Sequence, residues 1–243
     1  MPEGPSIVIL KEAVQQFKGK KILEISGNTK VDLPVLKNQV IIDFKSWGKH
    51  FLVCFKTFTI RIHFMLFGTY RINERKDVQP RLGFRFSNGE LNFYTCSVQL
   101  IEGDIDEAYD WSADVMNRRW SPSKAKQKML ADPGMMVCDA LMDQRIFAGV
   151  GNIIKNEVLF RIKVHPASKV GELTPAKMNA LLKQAVVYSF EFLEWKKAFV
   201  LKKHWLVYNQ KTCPRDQTPF TKINMGRSNR KTFFCRICQR LYV

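Results

Sequence analysis

Leu141-Met142-Asp143-Gln144-Arg145-Ile146-Phe147-Ala148-Gly149-Val150-Gly151-Asn152-Ile153 is the stretch whose reading decides the fold. A helical pattern over 137–147 breaks on Gly149-Val150-Gly151-Asn152, and helical spacing resumes over 153–160. The glycines allow a tight turn and the close approach of another backbone. A helix that restarts there presents unpaired N–H groups at its first turn, which suit a phosphate. A plain helical hairpin is the alternative.

Helical signals continue on both sides. Ser121-Pro122-Ser123 marks a helix start and Pro133-Gly134 a break, and Thr174-Pro175 opens a long helix through Leu181, Val186 and Phe190 to about Trp195. Residues 109–120 read as a linker with some helix, after the acidic stretch 102–107. Upstream the texture changes. Short runs rich in Val, Ile, Phe and Thr at 21–25, 39–45, 50–55, 59–64, 68–72, 82–86 and 90–95 predict strands, with a hairpin turn at Ser87-Asn88-Gly89. Such a set suggests a sandwich or barrel. Before it, Ile7, Leu10, Ala13, Val14 and Phe17 keep helical spacing up to Gly19.

The chain has 243 residues, 46% of them hydrophobic, enough for one large domain or a few small ones. Lys plus Arg number 39 against 22 Asp plus Glu, a formal charge of +17, which points to a polyanion partner, most often nucleic acid. No apolar run is long enough to span a bilayer, and the N-terminus has no charged-then-apolar pattern. An intracellular protein is expected, in the cytoplasm or nucleoid, or in the nucleus of a eukaryote, with no membrane contact. Cys54, Cys96 and Cys138 are scattered and read as small core residues. Cys213, Cys235 and Cys238 crowd near the C-terminus, a pattern that favours metal over disulfides in a reducing compartment.

Three short stretches carry candidate chemistry. Removal of Met1 from Met1-Pro2-Glu3 gives Pro2 a free secondary amine, and an α-amino group has a pKa of roughly 7.7–8.0. That amine can form an iminium adduct with a carbonyl-like carbon, and Glu3 can move the protons. Gly4-Pro5 is expected to turn the chain so that both groups point one way. An idle, frayed terminus is the alternative. Trp47-Gly48-Lys49-His50 lies in a turn before a strand, where Lys49 is either a solvated charge or a phosphate contact. Met65-Leu66-Phe67 sets three large apolar residues between two strands, either packed around a bulge or projecting as a wedge into a base stack.

The run 141–153, followed by Asn156-Glu157-Val158-Leu159-Phe160 and His165-Pro166, resembles the helix-two-turns-helix motif of the formamidopyrimidine-DNA glycosylase and endonuclease VIII family. Met1-Pro2-Glu3-Gly4-Pro5 is similar to that family's N-terminus, and the resemblance covers essentially the whole chain. It implies an α+β fold with a catalytic β-sandwich domain (1–120), a helix-two-turns-helix DNA-binding domain (121–208) and a zinc-finger-like β-hairpin (209–243). It implies a monomeric, bifunctional glycosylase/AP lyase acting on damaged DNA in base excision repair, through a Pro2 Schiff base and β/δ-elimination. Pro2 would be the nucleophile on C1′, Glu3 the acid/base at the sugar oxygen and Lys49 a strand-edge lysine near phosphate. Asn152 and Arg230 would grip phosphates around an everted nucleotide.

The tail resembles the family's zinc finger, with Asp216 where a second cysteine is usual, so the implied ligands of one structural Zn2+ are Cys213, Asp216, Cys235 and Cys238. Such a zinc would clamp the hairpin and so position Arg230. The other reading is a metal-free hairpin held by Phe220, Phe233 and Phe234. Met65-Leu66-Phe67 resembles the endonuclease VIII-like wedge, 94–99 corresponds to a loop that lacks the arginine of the 8-oxoguanine branch, and 192–205 leaves little room for a lesion-capping loop. These features favour oxidised pyrimidines as substrates. Ser6 departs from the family's usual glutamate. The alternatives are a non-catalytic DNA- or RNA-binding protein on this scaffold and a glycosylase of the 8-oxoguanine branch.

Overall fold

The computed structural model describes residues 2–243; Met1, with the expectation of its removal, lies outside the described residues. The chain divides into two compact units, Met1–Asp110 and Trp111–Val243.

The first unit begins with helix α1 (Gly4–Ala13), continued by a 3-10 turn at Gln15–Phe17 and ended at Gly19, whose φ is +74°. The helical spacing of Ile7, Leu10, Val14 and Phe17 is realised as one face, each residue no more than 1% exposed. One expectation is corrected here. Gly4 and Pro5 are the first residues of α1, not a turn ahead of it, and Glu3 is the N-cap. Proline suits a first helical turn because its missing N–H would find no intrahelical partner there.

Strands β1 (Glu24–Ser26), β2 (Asp43–Trp47), β3 (His50–Cys54), β4 (Phe58–His63), β5 (Thr69–Ile72), β6 (Leu82–Phe86), β7 (Gly89–Tyr94) and β8 (Ser97–Glu102) follow. They form two antiparallel sheets in the orders β1-β6-β7-β5 and β2-β3-β4-β8. The strand alternation buries Phe51, Ile60, Ile62, Phe84 and Phe93 in a common core with the apolar face of α1. The hairpin expected at Ser87-Asn88 is present, with Phe86 paired to Gly89.

β8 was not among the expected strands. The segment 94–99 is not an extended loop: Thr95 and Cys96 turn the chain and Ser97–Glu102 pairs with β4, Val98 opposite Ile62. Val98 is buried and Leu100 packs against the same core, so the polar–apolar alternation over 97–100 belongs to a strand and not to a loop. The acidic stretch ends in a short helix α2 (Ile105–Ala108), whose N-cap Asp104 accepts from Asp106 N.

The second unit contains α3 (Pro122–Leu130), α4 (Val137–Met142), α5 (Asn152–Arg161), α6 (Pro175–Lys197) and the hairpin β9 (Thr221–Met225) with β10 (Arg230–Phe234). Both expected helix starts are capped, Ser121 Oγ accepting from Lys124 N and Thr174 Oγ1 from Lys177 N. α4 stops at Met142, short of the expected Phe147. Asp143 leaves the helical region, and its carboxylate accepts the Arg145 N–H in a turn of its own. Gln144 then braces the second turn, its side chain accepting from Gly149 N and donating to Val150 O. Among the described residues, no helix is long and apolar enough to cross a membrane.

Candidate nucleic-acid interface and metal centre

In the first unit, Glu3 is 1% exposed at the head of α1 and its carbonyl accepts from Ser6 N. Pro2, immediately before it, is half-buried. α1 packs against β2 and β3. The two-residue turn joining those strands is Gly48-Lys49, closed by the Trp47–His50 pair, with Gly48 at φ +52°.

The residues after Lys49 hold a feature the sequence reading missed. His50 and His63 face each other across β3 and β4, their rings edge to face at 5.4 Å, and His50 Nδ1 lies 3.1 Å from the Tyr109 hydroxyl. Burial first, then the positive charges of Arg61, His63 and Lys49, push the His50 pKa down to about 3. His63 is lowered by burial, Lys49 and Arg61. The pair therefore adds no positive charge beside Lys49 at neutral pH. The available signal was the position of both histidines at strand ends in otherwise apolar runs.

His63 Nδ1 also lies 3.1 Å from Met65 Sδ, at the start of the β4–β5 loop. Phe64 is buried, but Met65, Leu66 and Phe67 are 54%, 45% and 79% exposed. Of the two readings of this run, the side chains project. Gly68 is required by the turn, because a Cβ there would lie 2.3 Å from the Phe64 carbonyl oxygen.

In the second unit, α5 is nearly enclosed, and its polar residues are as buried as its apolar ones. Asn152, Lys155, Asn156 and Glu157 are at most 4% exposed. Three of them hold consecutive residues of β10. Asn152 Nδ2 donates to Lys231 O at 2.9 Å, Lys155 Nζ to Thr232 Oγ1 at 2.8 Å, and Phe233 N donates to Asn156 Oδ1 at 2.8 Å. Glu157 turns the other way and accepts the N–H groups of Leu206, Val207 and Tyr208. Burial raises its carboxyl pKa against the pull of those N–H groups. Asn152, the first residue of α5, and Arg230, the first of β10, are thus brought together through Lys231.

The turn before Arg230 is anchored separately. Asp139 on α4 accepts the Arg227 N–H at 2.7 Å, and Arg227 pairs with Asp132 at 2.9 Å. Gly226, at φ +80°, packs so closely that a Cβ would lie 2.3 Å from Asp139 Oδ1.

At the opposite end of the hairpin, Cys213, Asp216, Cys235 and Cys238 bring one donor atom each to within 4.8 Å of one another. Zinc–sulfur bonds of about 2.3 Å imply a tetrahedral sulfur–sulfur edge of about 3.8 Å. Cys213 Sγ and Cys238 Sγ are 3.8 Å apart. Cys235 Sγ donates to Asp216 Oδ2 at 3.0 Å, a proton that a cation would replace. Hydrogen bonds from Thr218, then Cys235, hold the Asp216 carboxyl down at about 2. Three thiols and an ionised carboxylate with this spacing fit a zinc ion. The aromatic alternative contributes in part: Phe233 is buried beside Cys213 and Cys235 with Phe220 packed against them and Phe160 joining, whereas Phe234 packs edge to face on His165 at 4.4 Å.

The segment 192–205 is ordered: α6 runs to Lys197, and a 3-10 turn at Leu201–His204 returns so that His204 stacks on Trp195 at 4.1 Å.

Residues 117–196 match the family described as formamidopyrimidine-DNA glycosylase H2TH domain. Endonuclease 8-like 3 of Bos taurus is 33% identical over 202 residues, covering 79% of this chain and 33% of that protein. Endonuclease 8-like 2 of Bos taurus is 30% identical over 195 residues, covering 74% and 58%. The chain thus spans about a third of the first of these relatives and over half of the second. The Lactococcus lactis formamidopyrimidine-DNA glycosylase, solved bound non-covalently to DNA containing an AP site, superposes with a TM-score of 0.87. It is 20% identical, over 98% of this chain and 99% of its own. A viral DNA glycosylase gives 0.83 at 21% identity, over 98% and 100%. At such identities the likeness shows the fold.

Proposed function

The chain belongs to the formamidopyrimidine-DNA glycosylase and endonuclease VIII family, on its endonuclease VIII-like branch, and from that premise we propose that it is a DNA glycosylase with AP lyase activity. The observation that carries this reading is Glu3, a carboxyl-bearing side chain 1% exposed at the head of α1, directly after Pro2, whose nitrogen the removal of Met1 would free. A pure DNA-binding protein has no use for Pro2, Glu3 and Lys49 together.

In the proposed reaction an everted nucleotide presents C1′ to Pro2. The proline nitrogen bonds to C1′ as the glycosidic electron pair leaves with the base, and Glu3 protonates the sugar ring oxygen as the ring opens. The resulting iminium acidifies the C2′ proton, whose removal expels the 3′ phosphate in β-elimination, and δ-elimination then releases the 5′ phosphate. Lys49, in the two-residue turn between β2 and β3, meets a backbone phosphate and supplies the positive charge there without help from the neutral His50 and His63. Met65, Leu66 and Phe67 fill the gap left by eversion, which their exposure supports. Asn152 and Arg230 grip phosphates, the first through the edge of an amide already tied to Lys231. Oxidised pyrimidines are the proposed lesions, one chain the working unit, and the nucleoid or nucleus its workplace.

Glu3→Gln keeps the shape of the buried side chain and removes its acid/base function. Base excision should fall by roughly a hundredfold or more, the usual scale for general acid–base work, while cleavage of a preformed abasic site falls much less. Single-turnover kinetics on a lesion oligonucleotide and an abasic one provide the comparison. Equal losses on both would remove Glu3 from the excision step.

Cys213, Asp216, Cys235 and Cys238 would hold zinc, which when bound cross-links the two ends of the hairpin segment and takes no part in the chemistry. Asp216→Cys should retain one zinc per chain by elemental analysis and resist chelation longer than wild type. Asp216→Ala should lose metal more readily. Wild-type protein without zinc, prepared in zinc-containing medium, would leave the aromatic packing as the hairpin's support.

A further inference from the structure

Phe199 carries two costs that its own unit does not repay. α6 ends with Ala198 as C-cap, and the chain reverses through Phe199 at φ +60°, with Phe199 N donating to Lys196 O and Val200 N to Trp195 O. This left-handed position after a helix is where glycine is usual, because a Cβ crowds the following carbonyl. For a bulky residue it is an outlier. The ring is also 96% exposed, more than any other large hydrophobic side chain among the described residues.

The surroundings define what would repay those costs. Lys196 and Lys197 precede the ring, and Lys202 and Lys203 follow it. Glu194 is the sole acidic residue between 192 and 206. The reversal is held shut by the parallel stack of Trp195 and His204, 2° between ring planes, so the ring stands on a fixed support. A flat apolar ring flanked along the chain by two pairs of lysines fits a ligand that is polyanionic and offers exposed aromatic faces. Unpaired nucleotides have both properties, whereas paired DNA hides its base faces.

We propose that Phe199, with Lys197, Lys202 and Lys203, is a contact site for an unpaired nucleotide of single-stranded DNA, the ring stacking on the base and the lysines meeting adjacent phosphates. The site rests on DNA being the ligand, as in the function proposed above, and not on the Pro2 chemistry.

The full chain is tested as wild type, Phe199→Gly, Phe199→Leu and Phe199→Trp, against an oligothymidylate and a fully paired duplex. Phe199→Gly relieves the backbone and should raise Tm by a few degrees, while weakening oligothymidylate binding about tenfold. Duplex affinity should change by about twofold or less, and Phe199→Leu should lose most of the stacking. Fluorescence of Phe199→Trp, taken as the difference from wild type, should be quenched by oligothymidylate and not by duplex, heparin or anionic vesicles. A Phe199→Gly chain that binds oligothymidylate as wild type does, or melts below it, overturns the proposal. Equal quenching by heparin overturns it in favour of a general polyanion patch, and quenching by vesicles in favour of a membrane contact. Loss of borohydride trapping on abasic DNA in wild type would sink the glycosylase reading and leave these binding ratios standing.

Discussion

A chain that keeps Met1, or carries a tag residue ahead of Pro2, is expected to form no borohydride-trapped adduct with abasic DNA, whereas the processed chain forms one. A blocked terminus has an amide nitrogen with no available lone pair for C1′, so the covalent route closes. The expected fall is roughly a thousandfold or more, the scale on which loss of a nucleophile registers. Pro2→Gly keeps a terminal amine and should retain partial trapping. α1 begins directly after Glu3, and its large apolar core residues start at Ile7, behind the buried Glu3, Gly4 and Pro5. An added residue ahead of Pro2 therefore leaves the helix and the sandwich core intact, and thermal melting should be unchanged. Full trapping by the blocked chain would remove Pro2 from the mechanism.

Asn156→Leu should destabilise the second unit and weaken DNA binding while leaving the metal in place. Asn156 accepts Phe233 N and donates to Asn152 O, both buried. An apolar replacement leaves the buried Phe233 N–H without its partner, at about 1–3 kcal/mol, and takes from Asn152 O the second of its hydrogen bonds, the helical one remaining. Tm should fall by several degrees at the least. The four candidate ligands lie beyond the other end of β10, so zinc content should stay at the wild-type value. The contribution of Arg230, measured as the affinity ratio between Arg230 and Arg230→Ala in each background, should shrink with Asn156→Leu. Chelation alone should shrink it less, because α5 still holds residues 231–233. The reverse order of effects would make the metal the principal support of Arg230.

The parts of the fold legible in the sequence were those marked by residues with special backbone behaviour or chemistry. Gly149 and Gly151 betrayed the second of the two turns, though not the first at Asp143, which reads as helix; Ser121 and Thr174 betrayed the helix starts, and the Cys-x2-Cys spacing the cluster. Asp216 was legible because a carboxylate is the ordinary oxygen substitute for a thiolate. Other features depended on tertiary partners. Lys155, Asn156 and Glu157 form a polar run whose burial has no local signal, and only the arrival of β10 and residues 206–208 encloses it. β8 was hidden because only Thr95 and Cys96 separate it from β7, and its own pairing is with the distant β4. The histidine pair became visible only when strand register set His50 opposite His63. Phe199 looked like an ordinary apolar residue near a helix end until its φ and exposure were known.

The docking of Gly226 and Arg227 onto Asp139 bears on how this architecture diversifies. A turn that excludes even a methyl group at Gly226, and whose next N–H is claimed by α4, tolerates neither insertion nor a change of residue there. The hairpin tip is therefore fixed in place by α4. Novelty in what the chain prefers to act upon must enter through segments that no buried partner restrains, namely the projecting run at 65–67 and the helix exit at 198–200. Sequence drift between close relatives should accordingly concentrate in those two short tips and spare 226–233, so that grafting a tip would transfer substrate preference where grafting the hairpin would only transfer grip.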